Sequence, residues 1–143
     1  MKQKRILFVA VLLIATVGFF FFIYQGKLER MNHEWDIKLE GKIAEDISTK
    51  PGPHGDCTEY LKIKNANMDY LRNLVSENEV SSKEAIENIK EIIEADLAEE
   101  SSYDFSSILA EENHFGVLTK DNWNLFLWYS DNTDEVYLLD DIR

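Results

Sequence analysis

From Ile6 to Tyr24 the chain reads ILFVAVLLIATVGFFFFIY, 19 residues without a charge. A helix of that length rises roughly 28 Å, close to the hydrocarbon thickness of a bilayer. A helix apolar on every side cannot stay in water, and in a small protein there is too little chain to surround it. The segment therefore predicts a transmembrane helix over 6–24. Thr16 can return its hydroxyl to its own helix, and Tyr24 suits the headgroup level. Lys2, Lys4 and Arg5 precede the run, and Lys27, Glu29 and Arg30 come after it, so charges flank both ends.

Other readings of the segment fit less well. A cleaved signal peptide has a core of about 7–15 residues and then small residues at the cut. Here the core ends in Phe19-Phe20-Phe21-Phe22-Ile23-Tyr24, with Thr16-Val17-Gly18 as a poor site. A lipoprotein needs a cysteine just after the core, and the chain's one cysteine is Cys57. The balance of positive flanks places residues 1–5 in the cytoplasm and the chain beyond the span on the opposite side of the membrane. Residues 25–32 read as a juxtamembrane linker and 33–143 as a globular domain.

That domain is strongly acidic. Residues 31–143 carry ten Lys/Arg against 26 Asp/Glu, a balance of −16, whereas residues 1–30 balance at +4. Such a surface repels phosphate backbones, so nucleic acid is not an expected partner. Solubility is the ordinary meaning of the acidity; a cationic partner is the more specific one. A domain of this size supports one hydrophobic core. A single cysteine allows no internal disulfide.

The patterning predicts an α+β fold, with a mainly antiparallel sheet of about five strands, one long helix and one or two short ones. From His33 to Ile43, Trp35, Ile37 and Leu39 alternate with charged residues, the period of a half-buried strand. Lys50–Asp56 holds two prolines and two glycines and reads as a loop. Tyr60–Lys64 is a second strand, and Met68–Val75 a short helix. Ser82–Ala98 is the best helix, with Ser81 as N-cap, Glu84 completing a capping box, and Ile86, Ile89, Ile93 and Leu97 on one face. A shorter helix is expected from Asp104 to Glu112. Phe115–Thr119, Trp123–Ser130 and Glu135–Asp140 form a meander, turned at Lys120-Asp121-Asn122 and at Asp131–Asp134. Apolar residues on both faces of 123–130 mark an interior strand.

No catalytic motif is present. The chain lacks Gly-x-Ser-x-Gly, Ser-x-x-Lys and a Gly-rich phosphate loop, and capping explains its serine clusters. His54, Asp56, Cys57 and Glu59 are metal-ligand types in one short run, but no second ligand pair accompanies them, so no metal and no other cofactor is expected. Cys57 beside His54 reads as a thiol–base pair, set against an intermolecular disulfide and a buried, inert thiol. Trp123, Phe126, Trp128, Tyr129 and Tyr137 crowd neighbouring strands; they form either core or an exposed aromatic interaction surface.

These features support two functional expectations. The first is a non-enzymatic, membrane-anchored extracytoplasmic module of interaction, accessory or immunity/inhibitor type. It would hold to the bilayer through residues 6–24 and dock on another envelope or membrane protein. The second is a small-molecule or metal-binding sensor or enzyme that uses the His54–Glu59 loop.

Overall fold

The computed structural model describes residues 2–50, 52, 56–97 and 102–142. The chain divides into two compact units, Met1–Ile37 and Lys38–Arg143.

The first unit is one helix, α1, Lys2–Trp35. It extends well beyond the expected 6–24 and takes up the whole of the expected linker 25–32. Thr16 Oγ1 donates to the Leu12 carbonyl at 2.7 Å, as its place in an apolar helix requires. Ile6, Val9, Val11, Leu12, Leu13, Ile14, Val17, Phe19 and Phe20 are each between 55% and 72% exposed. Among the described residues no helix is long and apolar enough to cross a membrane. The span expected at 6–24 is thus not established by the fold; its positions 7, 8 and 21–24 lie outside the described side chains.

The expected strand over 33–43 is overturned. Helix α1 runs to Trp35, and Asp36 at φ 51° then turns the chain so that the Ile37 N–H reaches the Asn32 carbonyl at 3.0 Å. A left-handed residue just past the helix is a common way to satisfy its last carbonyls. The alternation of burial from Trp35 to Leu39 is real, yet among the described residues no strand pairs with it. Asn67 takes the place of one. Its Oδ1 accepts from the Glu40 N–H at 2.8 Å and its Nδ2 donates to the Lys38 carbonyl at 2.9 Å. Tyr70 Oη accepts from the Lys38 N–H at 2.9 Å.

The second unit is α+β, as expected. Its strands are β1 Lys42–Ser48, β2 Cys57–Lys64, β3 His114–Lys120, β4 Trp123–Tyr129 and β5 Val136–Ile142. They form one antiparallel sheet in the order β1-β2-β5-β4-β3. The C-terminal meander lies where the sequence placed it, and β5 slots between β4 and β2. Strand β1 begins where the expected strand was to end, and a bulge between Ile43 and Glu45 breaks its period of two. Gly41, at φ +145°, lets the chain enter β1: a Cβ there would collide with Ile63 Cγ2 and lie 2.8 Å from the Lys64 carbonyl oxygen.

Between β2 and β3 run α2, Met68–Glu77, and α3, Ser82–Ile92. Ser81 caps α3, its side chain accepting from the Glu84 N–H. The helix expected to 98 changes after Ile92 into a π-helical turn, Ile93–Leu97, which keeps Ile93 and Leu97 buried. The helix expected over 104–112 is a single 3-10 turn, Phe105–Ile108, with Asp104 accepting from the Ser106 N–H. Hydrogen bonds from Ser106 hold the Asp104 carboxyl below its ordinary pKa. The Ile108 carbonyl at the end of the turn accepts from Trp128 Nε1 at 3.0 Å and Asn113 Nδ2 at 2.9 Å.

Strand alternation divides the sheet into two faces. One carries Tyr60, Tyr137, Leu139, Phe126, Trp128 and Phe115, and α3 with the two short turns packs on it to form the core. The other carries Leu61, Ile63, Leu125, Leu127, Val136 and Leu138, also buried. There Gly116 allows α2 to come close to β3: a Cβ would stand 3.2 Å from Val75 Cα. Residues 78–80 add to the outer edge of β3, the Val80 N–H reaching the Phe115 carbonyl and the Val117 N–H the Asn78 carbonyl, each at 3.1 Å.

Candidate functional site

The expected run at 54–59 straddles the start of β2, and the strand itself separates its members. Cys57 and Glu59 point to one face and Thr58 to the other. Glu59 is buried and accepts from Ser48 Oγ at 3.3 Å across the β1–β2 ladder. His54 lies outside the described residues. Asp56 and Cys57 remain together at a cavity of about 450 Å³, whose other lining residues are Thr49, Thr58, Ala95, Asp96, Asp141 and Ile142.

Three elements assemble this cavity. The hairpin β1–β2 is pinned at its loop end by the Thr49 N–H on the Thr58 carbonyl and the Thr58 N–H on Thr49 Oγ1, both at 2.9 Å. Strand β5 brings Asp141 opposite Thr58 and Ile142 opposite Cys57. The π-helical turn after α3 supplies Ala95 and Asp96, and Thr58 Oγ1 donates to Asp96 Oδ2 at 2.8 Å. Sequence reasoning finds Asp56 and Cys57 and misses Asp96 and Asp141. Nothing local marks those two; they join the site only through strand register and the π turn. With three carboxylates and two threonine hydroxyls, the cavity repels anions. Among the described residues no three His, Cys, Asp or Glu side chains are placed to hold a metal ion together.

A second polar cluster spans β1, β2 and β5. Lys62 Nζ lies 3.6 Å from Glu45 and 3.4 Å from Glu135, and 5.8 Å over the Tyr137 ring. Tyr60 Oη donates to Glu45 at 3.3 Å, and Tyr137 Oη to Glu135 at 3.1 Å. Burial lowers the pKa of Lys62, but Glu45 and Glu135 more than offset it, so its ammonium is held charged to higher pH than usual. Burial, reinforced by Tyr103 and Glu45, pushes the Tyr60 phenol far above its ordinary value. Burial and Glu135 likewise raise Tyr137. A lysine fixed as a cation and phenols fixed as neutral make a structural network; neither is a base or nucleophile near neutral pH.

On the β3 side, His114 stacks on Tyr129 with ring centroids 5.0 Å apart, and its Nε2 lies 2.9 Å from Asp131 Oδ2. Arg72 and Glu79 border the same shallow groove. The two partners are 40% and 66% exposed.

The aromatic set falls on both faces of the sheet. Trp123 is half-buried, whereas Phe126, Trp128, Tyr129 and Tyr137 are buried. Phe126, Trp128 and Tyr137 belong to the core cluster, where Trp128 stacks on Tyr137 at 5.5 Å. The five therefore make no exposed aromatic patch.

No protein-family model, no curated protein and no solved structure matches this chain.

Proposed function

We propose that this chain is a membrane-anchored docking protein, with residues 6–24 in the bilayer and the acidic unit outside the cytoplasm as a non-enzymatic accessory or inhibitor-type module. The observation that carries the anchor is the first half of α1. Nine large apolar side chains between Ile6 and Phe20 are more than half exposed. Lipid is the solvent that makes such a surface stable. The positive residues Lys2, Lys4 and Arg5 support an N-terminus on the cytoplasmic side.

For the domain, the supporting feature is a charged exterior around an apolar core. Glu84, Glu87, Glu91 and Glu94 all stand exposed on α3 and the adjoining π turn, opposite the buried isoleucines. That face suits a cationic protein surface, since opposed potentials raise association rates and exclude acidic competitors.

The test is fractionation of cells that express the full chain. Resistance to alkaline extraction, with protease reaching the domain only from the non-cytoplasmic side, is the expected result. A mature N-terminus beyond Tyr24 would overturn the anchor, and a cytoplasmic domain would overturn the orientation. Cross-linking in intact membranes and mass spectrometry then identify the partner. Substituting His54, Asp56 and Cys57 together by alanine leaves the cross-link in place if docking is the function; its loss with the fold intact shifts the function to the 54–59 loop.

A further inference from the structure

We draw no further inference here: the strongest candidate, the cavity at the end of β2 and β5 where Asp56, Asp96 and Asp141 gather beside Cys57, is an acidic cluster with a lone thiol, and nothing in the structure shows a ligand that it would hold.

Discussion

Trp128 Nε1 donates to the backbone carbonyl of Ile108 at 3.0 Å, and both residues are buried. The bond joins β4 to the 3-10 turn that lies over it. Asn113 Nδ2 reaches the same carbonyl at 2.9 Å, so this acceptor keeps a partner when either donor is removed.

Trp128→Phe is therefore expected to destabilise the domain by about 1–3 kcal/mol, from lost volume and one lost hydrogen bond. Combined with Asn113→Ala it leaves a buried carbonyl without a donor. The double variant should lose about 1 kcal/mol more than the sum of the singles. Urea denaturation of all four proteins measures this; strict additivity would show that the shared carbonyl has no energetic role.

Alkaline pH should unfold the domain early. A phenol whose pKa is raised on folding keeps its proton in the folded state while the unfolded chain releases it. The stabilisation is complete below the unfolded value of about 10 and falls as pH rises toward the folded value, by about 1.4 kcal/mol per pH unit for a group such as Tyr60. Tyr137 and Lys62 are both raised and act with the same sign. Melts from about pH 9 to about pH 11 should show a steep decline that Tyr60→Phe makes shallower. Equal slopes in the two proteins would contradict the assignment.

Gly41→Ala should cost about 2 kcal/mol or more, since the new methyl group meets Ile63 and the backbone at Lys64 and the residue must hold φ +145°. Thermal denaturation is the readout. An unchanged midpoint would mean that the entry to β1 can relax.

Two lysines in place of Leu13 and Ile14 should release the chain from membranes, at about 2.5–3.5 kcal/mol for each charge near the middle of a span. Thr16→Ala, which loses only a bond within the helix, should stay bound. Retention of the double-lysine protein after alkaline washing would argue against a lipid-buried helix.

How much of the fold is legible in the sequence depends on how local each cause is. The meander β3–β4–β5 is legible because alternation, turn residues and an apolar-on-both-faces strand all lie within about thirty residues. The Ser81 cap and the apolar face of α3 are legible for the same reason. The stretch from His33 misleads because extended backbone at Lys38–Glu40 is satisfied by two distant side chains, Asn67 and Tyr70, which leaves the same period of two as a paired strand. Strand β1 is hidden by its own bulge. At the candidate cavity, Asp56 and Cys57 are visible as neighbours, whereas Asp96 and Asp141 arrive from a π turn and from the last strand in chain order. The helix expected over 104–112 is a single 3-10 turn whose last carbonyl, that of Ile108, accepts from Trp128, a residue distant in the chain.

Strand β5 lies at the centre of the sheet, flanked by β2 and β4. Its ladder with β2 pairs Cys57 with Ile142 and Ile63 with Val136, contacts between segments far apart in the chain. During synthesis the β1–β2 hairpin must wait, one long edge unsatisfied, until residue 142 has been made. Pairing across so long a loop predicts a slow, late closure in the folding of this domain, and leaves the nascent chain with an open strand that a chaperone, or a second nascent copy, can reach first.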